Sequence, residues 1–199
     1  MLFKSRLNSP LNIIAKKFKS IGLTYLPIHL EKAMAHTNKA PKMIKKTDDI
    51  RQDIELMFFA YRAFTRDADL LLGELGLGRA HHRVLHFVHS RPGMFVGELL
   101  AILSISKQSL NRVMRELQAK QLISNDIDPE DRRRRRLHLT QNGTMLAEEL
   151  LRLQRERFVR AYRSMTPDMV RAWRRVLEAM LDEDERDHIL DVVGRRVFS

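Results

Sequence analysis

The sequence predicts a mainly α fold that carries one small, strongly basic β-hairpin, and three observations predict it. The first is the stretch from Ser104 to Gly143, SISKQSLNRVMRELQAKQLISNDIDPEDRRRRRLHLTQNG. Advancing about 100° per residue from Lys107 gathers Lys107, Gln108, Asn111, Arg112 and Arg115 in one arc, while Leu110, Val113, Met114 and Leu117 fill another. The second lies just beyond that helix: Leu122, Ile123 and Ile127 suggest a strand, Asp128-Pro129-Glu130-Asp131 a turn, and Leu137 with Leu139 a returning strand. The third is the long apolar helical periodicity on either side, from Ile50 to Leu75 and from Leu146 to Met180. A polar-faced helix followed by a basic hairpin is a winged helix. The expected architecture is therefore a winged helix-turn-helix unit flanked by long helices.

In chain order, residues 1–47 read as a basic, disordered extension. Residues 1–46 hold ten Lys or Arg against one acid, Glu31. Ser9-Pro10 can open a short helix with Leu11, Ile14, Phe18 and Ile21 on one side, a pattern that fits a membrane-surface helix, a targeting segment or a non-specific DNA arm. The competing reading is a misassigned start, with translation beginning at Met34 or Met43. Residues 48–78 are expected to form a long N-terminal helix, begun by Thr47, Asp48 and Asp49 and ended by Gly76 and Gly78.

Residues 79–143 would be the DNA-binding domain. Arg79–Ser90 is helical, Arg91-Pro92-Gly93 breaks the chain, and Glu98–Leu103 is the supporting helix of a helix-turn-helix. Ser106 is a suitable N-cap, which places Lys107, Gln108 and Ser109 in the exposed first turn, the part that enters a DNA groove. Arg132, Arg133, Arg134, Arg135 and Arg136 run from the turn into the second strand, where guanidinium forks match phosphate oxygens or a narrow minor groove. The competing readings are an ordinary amphipathic surface helix and a solvated run of charge. Residues 144–199 carry two further apolar stripes, the first capped by Thr140 and the second opened by Thr166-Pro167-Asp168. Two long helices beside one small winged unit leave apolar surface that a monomer struggles to cover, so these segments are expected to dimerise.

Composition narrows the function. The chain has 199 residues and a formal net charge of +11, but residues 1–46 account for +9 of it. The remaining 26 bases and 24 acids nearly balance. An acidic polymer is still invited as partner, at the reading helix and hairpin rather than everywhere. There is no cysteine, which excludes disulfides, thiolate metal sites and thiol-based sensing and is compatible with a reducing cytoplasm. No apolar run reaches the length of a membrane span, so no membrane partner is expected. His82, His86 and His89 fall within about 60° on a helical wheel, a usable metal geometry, and a metal or haem sensor or a histidine-dependent enzyme is the alternative function. Against it, HRVLH lacks the Glu of a zinc-hydrolase motif, and no carboxylate or thiolate accompanies the stripe. No cofactor is expected, nor enzymatic activity.

At the reading helix and wing the chain resembles the MarR family of bacterial transcription regulators, over roughly residues 48–190. The wing DPEDRR followed by LHLTQNG matches the family pattern of Asp, basic, Arg, three variable residues and an apolar strand ending Leu-Thr-x-x-Gly. The wording RAHHRVLHFV, KQSLNRV and DRRRRRLHLT is similar to an α-proteobacterial subgroup, the PetP-like regulators. The resemblance implies a homodimer on double-stranded DNA, with the first helix interleaving with the last two of its partner. It also implies contacts from Ser106, Lys107, Gln108, Ser109, Asn111, Arg112, Arg115, Arg132 and Arg134, a minor-groove probe at Arg133, and Asp131 holding that probe. A small aromatic effector between dimer arm and winged unit, near Tyr61, Phe58 or the histidine stripe, is implied as well. Three residues depart from the pattern: Ser104 and Gln121 replace turn glycines, and Phe95 replaces a capping Thr.

Overall fold

A computed structural model of the chain describes residues 47–131 and 134–194. The basic extension, Arg132 and Arg133 lie outside the described residues. The chain divides into two units, residues 1–56 and 57–199. Of the first, only the opening turns of a helix are described. There Ile50, Ile54 and Leu56 are exposed and Arg51 Nε donates to Glu55 at 3.2 Å.

The elements through α6 run in the expected order, and α7 is a further helix beyond the two expected after the wing: α1 (Thr47–Glu74), α2 (Arg79–Ser90), α3 (Val96–Leu103), α4 (Lys107–Ala119), β1 (Ile123–Ile127), β2 (Arg135–Leu139), α5 (Gln141–Tyr162), α6 (Pro167–Ala179) and α7 (Glu183–Gly194). The strands form a two-stranded antiparallel hairpin in which Ile123 faces Leu139, Asn125 faces Leu137 and Ile127 faces Arg135. The fold is thus mainly α with a hairpin wing, a winged helix-turn-helix.

The helix ends are set by local chemistry. α1 closes on Gly76, at φ +64°, with Leu77 N donating to Leu72 O at 2.8 Å and Gly76 N to Gly73 O at 3.0 Å, a Schellman motif. α4 closes the same way on Gln121: Leu122 N donates to Leu117 O at 3.0 Å and Gln121 N to Gln118 O at 2.9 Å. Gln121 has φ +56° and Ser104, which ends α3, has φ +49°, so both replacements of a turn glycine adopt the left-handed conformation that glycine would take without steric cost. Ser106, Thr140 and Thr166 cap α4, α5 and α6 as expected, accepting from Ser109, Gly143 and Met169 N–H groups. Phe95 has no hydroxyl to cap α3, and its own N–H is taken by Glu98 Oε2 at 2.7 Å.

One core organises the second unit. It joins Ala68 and Leu72 of α1, Val84, Leu85 and Val88 of α2, Leu99 and Leu103 of α3, Leu110, Val113, Met114 and Leu117 of α4, Leu137 of the wing and Leu150 of α5. The hairpin is also anchored by the segment before α3, where Gly93 N donates to Leu137 O at 2.9 Å and Leu137 N to Met94 O at 2.8 Å. By contrast, α6 and α7 have no buried residue. Met169, Trp173, Val176, Leu177 and Met180 stand exposed along α6.

Candidate nucleic-acid interface

The apolar arc of α4 is buried and its polar arc is exposed, as the spacing predicts. Between that polar arc, the start of α3 and the wing lies an open groove of about 1130 Å³. Lys107, Gln108, Asn111 and Arg115 line it from the helix and Asn125, Arg134 and Arg135 from the wing. Cations and amides from two elements facing one concavity suit a sugar-phosphate strand, because charge and hydrogen-bond donors are supplied together. Ser106 and Ser109 stand at the helix start, where their hydroxyls lie 2.8 Å apart and Ser106 Oγ accepts the Ser109 N–H at 3.1 Å.

Arg112 lies at the edge of the polar arc, outside the groove lining. Its Nε donates to Glu116 Oε1 at 3.0 Å, and Glu116 Oε2 lies 2.7 Å from His81 Nε2. The carboxyl of Glu116 is held below its ordinary value, first by Arg112 and then by His81.

The wing arginines do not all behave alike. The guanidinium of Arg134 stacks over the Phe95 ring at 3.5 Å from its centroid, and that of Arg136 at 4.7 Å. Arg136 also pairs with Asp128 at 3.1 Å. Exposure varies along the described arginines: Arg134 and Arg135 are exposed, whereas Arg136 is half-buried beside the buried carboxylate it pairs with. Asp128 is 2% exposed, and its Oδ1 accepts the Glu130 N–H at 2.9 Å. That backbone hydrogen bond, with Arg136 and Arg134 nearby, holds its pKa below the usual carboxylate range despite burial. Asp128 N donates to Arg134 O and Arg134 N to Asp131 O, closing the wing tip. The expected hold of Asp131 on Arg133 lies outside the described residues.

Several contributors carry little signal in the sequence. Gln118 lines the groove, and a helical wheel can find it, since eleven residues after Lys107 is a return to within about 20°. Arg135 and Asn125 line it because of hairpin register, which residue spacing does not specify. Phe95 stands out in the sequence only as a departure from a cap.

The histidine stripe does not converge on a site. His82 is half-buried and its imidazole is pushed down by that burial, while the exposed His86 packs edge-on against Phe87 at 5.1 Å. Among the described residues no group of three His, Asp or Glu side chains could hold a metal ion, and no helix is long and apolar enough to cross a membrane. His81, beside the stripe rather than in it, is hydrogen-bonded to Gly78 and Glu116.

A basic groove between a capped reading helix and an anchored wing defines the class: a winged-helix DNA-binding protein. The MarR family model matches residues 75–134. The HTH-type transcriptional regulator PetP of Rhodobacter capsulatus is 46% identical over 141 residues, covering 71% of this chain and 85% of that protein. The chain belongs to the MarR family of DNA-binding transcription regulators and is PetP-like within it. Solved structures agree on the fold. A SlyA-like transcription regulator from Listeria monocytogenes, 20% identical, covers 74% of this chain and 96% of its own at a TM-score of 0.56. Bordetella bronchiseptica BpsR, 22% identical, covers 66% of this chain and 99% of its own at a TM-score of 0.51. The metal-dependent alternative is not favoured.

Proposed function

We propose that the chain acts as a homodimeric, sequence-specific regulator that binds a near-palindromic operator and responds to a small aromatic effector. The groove between α4 and the wing supports this reading, because amides of Gln108 and Asn111 line it together with the cations Lys107, Arg115, Arg134 and Arg135. Gln108 and Asn111 offer amide pairs to adenine edges, and Arg112 offers a guanidinium fork to guanine O6 and N7. Lys107, Arg115, Arg132, Arg134 and Arg135 neutralise phosphates, and Arg133 enters the minor groove under the hold of Asp131. Residues 79–143 form the DNA-binding domain, between a dimerisation helix at 48–78 and dimerisation helices at 144–199, with 1–47 as a basic extension. The protein works in the cytoplasm, where the chromosome is.

Dimerisation is supported by the unpartnered apolar face of α6, continuous in character with exposed Met57, Phe58 and Tyr61 on α1. MarR-family regulators form dimers, and a two-fold dimer demands half-sites about 10 bp apart, or a multiple of that spacing. The effector reading rests on an apolar cavity of about 490 Å³ walled by Tyr61, Phe64, Phe158, Tyr162 and Trp173. Phe64 and Phe158 meet edge to face at 5.6 Å, and Arg157 at the rim pairs with Asp67 at 2.7 Å. Such walls suit a planar ring, and DNA binding by BpsR is regulated by 6-hydroxynicotinic acid.

Selection from randomised duplex DNA by the full chain tests this reading. It should enrich a two-fold symmetric motif with half-sites about one helical turn apart. Enrichment of no motif would refute sequence-specific recognition, and an asymmetric single site would refute the dimer.

A further inference from the structure

Arg112 is joined to the interior of the protein by a series of hydrogen bonds that the proposed DNA contacts do not use. Its Nε donates to Glu116 Oε1 at 3.0 Å, and Glu116 Oε2 lies 2.7 Å from Nε2 of His81, a residue of α2 that is 8% exposed. On the far side of that ring, Nδ1 accepts the Gly78 backbone N–H at 3.0 Å. An imidazole nitrogen that accepts a hydrogen bond carries no proton, so the ring proton sits on Nε2 and donates to Glu116. Donors and acceptors are therefore matched throughout, from the Gly78 amide through imidazole and carboxylate to guanidinium.

The arrangement decides how Arg112 meets DNA. Its side chain is 80% exposed, and an exposed pair one helical turn apart is by itself too weak to hold a long side chain in one orientation. Glu116 is not an ordinary surface partner, however, because its second oxygen is tethered to a buried ring on another helix. The pair also occupies Nε, which leaves the two terminal nitrogens as the edge available to guanine O6 and N7.

We propose that His81 and Glu116 are positioning residues for base recognition: the buried imidazole fixes the carboxylate, and the carboxylate holds the Arg112 guanidinium in the orientation that reads a guanine edge. This rests on the assignment of Arg112 as a base-reading residue. A preorganised fork gives up less side-chain freedom on binding the correct base, so the device sharpens discrimination between bases more than it strengthens attachment to DNA in general.

Two substitutions of His81 separate this role from stability. His81→Gln places an amide nitrogen about where Nε2 stands and retains the donor to Glu116 while losing the acceptor for Gly78. His81→Asn reaches Gly78 and loses the donor to Glu116. The full chain and the variants His81→Gln, His81→Asn and Glu116→Gln, each with and without Arg112→Ala, are titrated with the selected duplex and with duplexes changed at the guanine that Arg112 reads. Wild type should prefer guanine there by about five-fold or more, as a bidentate arginine does. Glu116→Gln and His81→Asn should each remove most of that preference, and His81→Gln should keep it. On the Arg112→Ala background all three should leave base preference unchanged. Equal weakening on every duplex, or the same effect with and without Arg112, would overturn the proposal. If Arg112→Ala alone leaves the guanine preference intact, the base-reading role fails and the proposal falls with it. If Arg112→Ala removes the preference while Glu116→Gln and His81→Asn keep it, only the positioning role fails.

Discussion

Gly143→Ala tests the joint between the wing and the helix that leaves it. Gly143 lies in the first turn of α5, and a Cβ built there would stand 1.8 Å from the carbonyl oxygen of Leu122. Carbon-oxygen contacts settle near about 3.3 Å, so backbone on one side must retreat by roughly 1.5 Å. The same carbonyl accepts the Thr140 N–H at 3.2 Å, while Thr140 Oγ1 accepts the Gly143 N–H at 3.0 Å and donates to Gln121 O at 2.6 Å. Retreat therefore strains a cap and a wing-base hydrogen bond together. Overpacking costs about 1–3 kcal/mol, and a weakened cap and hydrogen bond about 1 kcal/mol each. Replacing glycine by alanine in a helix returns about 1 kcal/mol. The net loss is about 2–4 kcal/mol, or roughly 5–15 °C in Tm for a chain of this size. Thermal unfolding followed by circular dichroism at one fixed protein concentration measures it. A Tm equal to or above that of wild type would mean that the helix-propensity gain alone is felt and that the close approach is not real.

Gln121→Gly should act in the opposite direction, raising Tm through relief of a left-handed non-glycine residue by a net of about 0.5–1 kcal/mol; a fall in Tm in the same assay would contradict the backbone argument. Asp128→Asn should lower stability at neutral pH and flatten its acid dependence. Because the folded pKa of Asp128 is depressed, its contribution is present above about pH 4 and is lost as pH falls below that value. Urea unfolding at pH 7 and pH 3 measures both effects, and an undiminished acid loss in the variant would assign the pH dependence to other groups. Trp173→Glu should weaken the dimer by about 2 kcal/mol or more, as loss of a central aromatic contact does, and sedimentation velocity across a concentration series reads it. An unchanged dimer would remove α6 from the interface.

What is legible in the sequence is what local chemistry writes. Ser106, Thr140 and Thr166 announce helix starts because a cap needs one side chain and an amide two or three residues on. The buried arc of α4 follows from spacing alone, and the left-handed turns at Ser104 and Gln121 fall where glycine is missing from the family pattern. The illegible part depends on partners distant in the chain. Phe95 carries no local sign that two wing arginines stack on it, and Asp128 reads only as a turn residue until Arg136 is placed beside it. His81 sits beside three more conspicuous histidines, yet its partner Glu116 is 35 residues away on another helix. Periodicity identifies the polar face of α4, and only tertiary structure ties its Arg112 through Glu116 to His81.

The central claim, that α4 reads bases in the major groove of a two-fold operator, is tested most directly by methylation interference on the selected duplex. Methylation at guanine N7 blocks the edge that a bidentate arginine requires without disturbing the phosphates. For the wild-type chain, one guanine in each half-site should interfere strongly when methylated, with the two positions related by the operator dyad. For Arg112→Ala the same two positions should become silent while other interference sites persist. Interference that survives the loss of Arg112, or that appears at no guanine in either half-site, would contradict the account.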